Sequence, residues 1–372
     1  MQRSNNVGFF NSATPGSQSA LRHFMDEDSC MTNFAGRFNH VPLGYASRNG
    51  HIECIHSGSI AVVDTSGRLV AYVGDPASYT FSRSALKPFQ ALPFARAGGI
   101  AQFGFDQKQT ALMCASHSGE DIHIAAVSSM LEKIGCTEHD LGCGCHLPER
   151  YENGAIPPVG FKADQRHNNC SGKHAGFLAF CRMHDLPTAD YLDPAHPLQR
   201  DIVKTVARLA EMDEPDLWHG TDGCNAPNLG LPVVRLARLW ARLGSAREDG
   251  DDDQRAMTRL ADAMMDFPEM YSGTGRADNA LTRVGKGRWI SKTGADGVRC
   301  VGIRSKGLGI ALKVADGHYP IAYAATIEVM RQLDLIDAVE YEELASWAQP
   351  VIRNCIGREV GNYHCNFDLK FV

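Results

Sequence analysis

Ser84 and Lys87 stand three residues apart in the segment SRSALKPFQALP, at the start of a predicted helix. That spacing puts both side chains on one face, about one turn apart. A serine hydroxyl is a weak nucleophile and needs a neighbouring base; a lysine amine serves if its pKa falls from about 10.4 toward 7. Burial beside a second cation produces such a fall. Lys292 of Lys292-Thr293-Gly294, on a predicted strand late in the chain, is the candidate second cation. Pro88 suits a first helical turn, whereas Pro93 is expected to kink or end the element. Taken alone, Ser-x-x-Lys also reads as a helix N-cap serine followed by an exposed lysine.

An early Ser-x-x-Lys, a helical middle and a late Lys-Thr-Gly resemble, in order, the motif set of serine β-lactamases and penicillin-binding proteins. The middle member of that set, Ser-Asp-Asn, is missing. Between the two lysine motifs stands instead ASHSGE, residues 115–120, a polar knot after an apolar run. It reads either as a strand-to-helix turn with serine caps or as the carrier of a second couple, Ser116 with Lys292.

A second group of residues has metal chemistry. In NNCSGKHAG, Cys170 opens an amphipathic helix that also carries Lys173, and GTDGCNAPN sets Cys224 in a glycine-bounded turn. A thiol at a helix N-terminus has a depressed pKa and is ready to bind metal or to react. By spacing, Cys143-Gly144-Cys145-His146 is the more conventional zinc candidate, but it lacks paired Cys-x-x-Cys spacing and is read as packed thiols with a turn histidine.

These residues need a scaffold. The chain has 372 residues, 44% hydrophobic and 22% charged, close to the globular average. With 37 Lys+Arg against 43 Asp+Glu its formal charge is −6, which argues against a basic nucleic-acid binder. Twelve cysteines are scattered rather than framed for disulfides. No run approaches 18 apolar residues and no secretory h-region is visible, so the expectation is a cytoplasmic protein without membrane partners. Residues 1–36 read as a mobile tail. HIECIHSGSIAVVDTSGRLVAYVG reads as a β-hairpin, and strands return near Trp289 before a last amphipathic helix. The expected fold is α+β, an antiparallel sheet flanked by helices: residues 37–83 plus 281–372 form a discontinuous sheet domain, and 84–280 are a mostly helical insertion.

Together, SRSALKPFQALP, ASHSGE, NNCSGKHAG and GTDGCNAPN resemble the Rhizobium etli-type L-asparaginases, the asparaginase II family with a serine β-lactamase-like fold. The resemblance runs from about Val41 to the C-terminus. It implies a cytoplasmic homodimer that hydrolyses L-asparagine to L-aspartate and ammonia. Ser84 matches the nucleophile and Lys87 its base, with Ser116 and Lys292 as the second couple. Cys170, Lys173 and Cys224 match the ligands of one zinc ion, and Arg83, His117 and Asp222 match residues around the substrate. Two other readings stay open: a β-lactam-interacting serine hydrolase or esterase, and a non-enzymatic zinc-stabilised binding module.

Overall fold

The hairpin between His51 and Val73 forms where β-branched residues flank the turn Asp64-Thr65-Ser66-Gly67. The Asp64 carboxylate accepts from the backbone N–H groups of Ser66 and Arg68, and Gly67 supplies φ +83°. A computed structural model describes residues 39–372, so the expected tail 1–36 lies outside the described residues. Asn39–Val372 make one compact unit.

The hairpin strands are β2 (His51–Asp64) and β3 (Leu69–Val73), preceded by β1 (Val41–Arg48). They belong to an antiparallel sheet with β7 (Trp289–Gly294), β8 (Val298–Ile303), β9 (Leu308–Val314), β10 (Val351–Arg353), β11 (Glu359–Cys365) and β12 (Lys370–Phe371). The strand order is β10-β11-β1-β2-β9-β8-β7, with β3 pairing β2 and β12. The two ends of the chain thus share one sheet through the β2–β9 pair, in which Ala61 faces Ala311. Along β2 the side chains alternate: Ala61 and Val63 join one core cluster, Ile60 and Val62 the other.

Among the described residues nine helices have seven or more residues: α1 (Lys87–Arg96), α2 (Gln107–Met113), α3 (Asp121–Lys133), α4 (Ser171–Met183), α5 (Pro197–Ala210), α6 (Val233–Gly244), α7 (Asp252–Asp266), α8 (Ala277–Gly285) and α9 (Tyr319–Gln332). α6 covers one sheet face and α9 the other, which buries every residue of β8. Gly309 makes the α6 approach possible, since a Cβ there would meet the Ala237 carbonyl oxygen at 2.0 Å.

Two features differ from the sequence expectation. α1 runs through Pro93 to Arg96, because every residue from Lys87 to Ala95 is buried and packing holds the turn despite the missing donor. The 84–280 stretch also contains strands: β6 (Pro227–Pro232) pairs with β5 (Trp218–Thr221) on one side and β4 (Tyr79–Phe81) on the other, in the order β4-β6-β5. Runs of four to six residues with internal glycine and proline are too short to show a period.

Candidate active site

Ser84 lies in a single 3₁₀ turn, Arg83–Leu86, that leads from β4 into α1. Arg83 holds a left-handed backbone, φ +50°, an uncommon state for a non-glycine residue. The end of β7 presses on this turn: a Cβ on Gly294 would sit 2.8 Å from the Ser82 carbonyl oxygen. Ser84 is half-buried and lines a cavity of about 370 Å³ with Ser116, His117, His146, Glu149, Asn169, Arg276 and Thr293. Its hydroxyl makes no hydrogen bond among the described residues. A larger cavity, about 550 Å³ between α5, α6 and α7, contains none of these groups.

Lys87 and Lys292 are each 1% exposed and stand behind the cavity wall. Both donate to the same oxygen: Lys87 Nζ is 2.9 Å and Lys292 Nζ 3.0 Å from Ser116 Oγ. Lys87 also donates to the Ala115 carbonyl and, at 3.1 Å, to Cys170 Sγ. The expected couple of Ser116 with Lys292 is thus in contact, whereas Lys87 meets Ser84 only through its backbone N–H, which donates to the Ser84 carbonyl, and among the described residues no hydrogen bond joins Lys87 Nζ to Ser84 Oγ.

The amine of Lys292 falls in pKa. Burial lowers it most, Asp278 opposes, and the nearby charges of Lys87 and Arg276 lower it further, to about 7. Asp278 is fully buried on α8, 3.8 Å from Lys292 Nζ and 3.0 Å from Arg299 Nη1. It also accepts from Ser291 Oγ and the Thr293 N–H. Burial favours its neutral form, but Arg299 and Lys292 outweigh this and hold it below the ordinary carboxylate range.

The knot 115–120 is fixed by its own polar atoms. Gly119 N–H donates to His117 Nδ1, which leaves the proton of a neutral ring on Nε2 to donate to Ser171 Oγ, 2.9 Å away. Burial, then His123 and Lys87, drive the His117 ring well below the usual imidazole range. His117 therefore serves the cavity as a neutral wall residue that ties the knot to the start of α4.

Cys170 caps α4 next to that wall. Cys224 comes to it from the turn between β5 and β6, with Lys173 Nζ 3.1 Å from its sulfur and Asp222 Oδ2 at 3.8 Å. A hydrogen bond from Cys224 holds Cys170 well below the usual thiol range, against the effect of burial and with help from Lys87 and Lys173. Burial opposes the charge of Lys173, but Cys224, Cys170 and Asp222 raise its amine above its ordinary value. Among the described residues no set of three His, Cys, Asp or Glu side chains suits a metal, so Lys173 would have to be the third donor. The donor chemistry fits zinc: two thiolates and one neutral amine balance a charge of +2 once the amine has lost its proton.

Arg83 turns the other way. Its Nε is 2.7 Å from Asp222 Oδ1, its Nη1 also contacts Asp296, and it lines a separate cavity of about 540 Å³ with Trp218 and Lys313. Of the conventional zinc candidates, Cys143 is buried and its thiol pushed up to about 12 by burial, while Cys145 is exposed rather than packed. His146 is more than a turn histidine, because it lines the cavity and its Nε2 accepts from the Asn169 N–H. Sequence reasoning missed Asp278, Arg276 and Glu149. Asp278 had one weak signal, an acidic side chain on the inner face of an amphipathic helix; the other two had none.

Fold and site define an α+β protein whose polar cavity is walled by hydroxyl groups backed by buried amines. The L-asparaginase II family matches residues 45–365, and the chain belongs to it. Among solved structures, two of Mglu in its native form, one in the presence of 4.3 M NaCl, are 15% identical with a TM-score of 0.41. They match 76% of this chain, which spans 62% and 65% of theirs. A candidate β-lactamase from Bacteroides dorei DSM 17855 is 12% identical with a TM-score of 0.38, over 82% of this chain and 98% of that one. No curated protein matches the chain. Among the described residues no helix is long and apolar enough to cross a membrane.

Proposed function

We propose that the protein is an L-asparaginase of the Rhizobium etli type, hydrolysing L-asparagine to L-aspartate and ammonia as a cytoplasmic homodimer. The observation that carries the chemistry is Ser116 Oγ between Lys87 and Lys292, in the wall of the cavity that holds Ser84.

In this reading Ser84 Oγ attacks the side-chain amide carbon. Its proton passes through the Ser116 hydroxyl to the neutral amine of Lys292, whose pKa near 7 suits a base at neutral pH. The tetrahedral intermediate collapses as the departing nitrogen takes that proton back and leaves as ammonia. Water then attacks the ester on Ser84, its proton returns along the same relay, and aspartate leaves. Lys87 holds the Ser116 oxygen and Cys170 together. Cys170, Lys173 and Cys224 would hold the zinc ion, which would supply a fixed positive charge beside the site. Arg83 positions the nucleophile's turn, His117 the cavity wall.

Ammonia release from L-asparagine and L-glutamine, by the protein and its Ser84→Ala variant, tests the reading. Release from asparagine that disappears in the variant supports it; no release by folded, zinc-loaded protein overturns it. The contact of Ser116 with both lysines favours a second reading in which Ser116 attacks. Mass spectrometry of a trapped acyl-enzyme distinguishes the two by the serine it labels.

A further inference from the structure

We propose that Arg276 and Glu149 form the receptor for the α-carboxylate and α-ammonium groups of the substrate, restricting the site to zwitterionic amino-acid amides. The inference rests on the asparaginase reading and adds to it the groups that select the substrate.

Both side chains line the cavity that contains Ser84 and Ser116, and its volume of about 370 Å³ falls in the range of small-molecule sites. They form an ion pair at 3.0 Å, with Arg276 29% and Glu149 36% exposed. A pair this open is exchangeable: a zwitterion entering between the two replaces one internal bond with two intermolecular ones and leaves the charges balanced. Arg276 Nη1 also donates to the Ser116 carbonyl oxygen at 3.0 Å, which fixes one edge of the guanidinium beside the chemistry. The fork keeps further N–H donors for a carboxylate.

The placement is built, because Glu120 ties down the loop before Arg276. Its carboxylate accepts from Thr274 N–H and Thr274 Oγ1, each at 2.8 Å, and from Ser118 Oγ. On the other side Glu149 N–H donates to the Ser118 carbonyl at 3.0 Å. The knot that carries Ser116 therefore positions both charges. Arg83 fits the role less well, since two carboxylates already balance it and it faces the other cavity.

The test uses three amides: L-asparagine, succinamate, which lacks the ammonium, and 3-aminopropanamide, which lacks the carboxylate. An amide turned over too slowly to time is measured as a competitive inhibitor. Assayed on the alkaline side of the Lys292 limb, where loss of the Arg276 charge no longer changes the protonation of that amine, Arg276→Ala is expected to lower kcat/KM for asparagine and succinamate by about 10- to 100-fold and to leave 3-aminopropanamide within about threefold. Glu149→Gln should show the opposite selectivity, losing asparagine and 3-aminopropanamide but not succinamate. Arg276→Lys keeps the charge, and should give the same order with smaller losses even if the alanine variant folds poorly. Equal losses on all three amides would mean that Arg276 only supports the Ser116 backbone, and would overturn the inference while leaving the asparaginase reading intact. A wild-type protein that releases ammonia from none of them sinks both.

Discussion

Lys292 and Lys173 are equally hidden, 1% and 2% exposed, and their amines move in opposite directions. At Lys292 burial wins: one carboxylate, Asp278, is set against the charges of Lys87 and Arg276, and the amine falls to about 7. At Lys173 two sulfurs and Asp222 surround a single amine and outweigh burial. Burial alone therefore does not decide what a lysine can do; the charges around it decide whether burial prevails. One region is arranged to accept a proton, the other to keep a cation, or a metal, among sulfurs.

The strongest break in this comparison is loss of the proton-accepting side. Ser84→Ala should lower kcat by about 10⁴-fold or more, and Lys292→Met by about 10²- to 10⁴-fold, measured by ammonia release at saturating asparagine. Retained activity in the lysine variant would remove Lys292 from the role of base.

A finer test is pH. Because Lys292 must be neutral to take a proton, kcat/KM should rise with pH through an acid limb near pH 7. Asp278 raises the Lys292 pKa, so Asp278→Asn should move that limb to lower pH by roughly one unit. The same change leaves Arg299 buried without its carboxylate and should cost about 3–5 kcal/mol of stability by denaturant unfolding. A limb that stays in place would assign it to another group.

Lys173→Met sharpens the contrast from the sulfur side. It should reduce zinc content, read by elemental analysis at matched protein and metal concentrations, and leave the limb near pH 7 where it is. A shifted limb would show that the two lysines titrate as one unit. The smallest effect is expected from Asp222→Ala, a residue that the family resemblance places around the substrate: KM for asparagine rises by up to about tenfold, and kcat stays near the parent value because Asp296 still holds Arg83. A loss confined to kcat would contradict that assignment.

The hairpin at β2–β3, the strands β7–β9 and the helix α9 were legible because each is a run long enough to show a period between glycine-rich turns. β5 and β6 were not, being short and punctuated by glycine and proline. Likewise Ser84-Lys87 and Lys292-Thr293-Gly294 were visible as local spacings, whereas the Arg276–Glu149 pair joins positions with no pattern around either residue.

The sequence by itself determined the α+β class, the hydroxyl, amine and thiol groups available for chemistry, and the family those motifs imply. Tertiary structure decided how they combine. Ser116 meets Lys87 across 29 residues and Lys292 across 176, and both lysines lie in the interior. A side chain's pKa depends on desolvation and on charges a few ångströms away, and neither is a property of sequence spacing. That is why the amine of Lys292, an ordinary lysine by its place in the chain, is lowered to about 7.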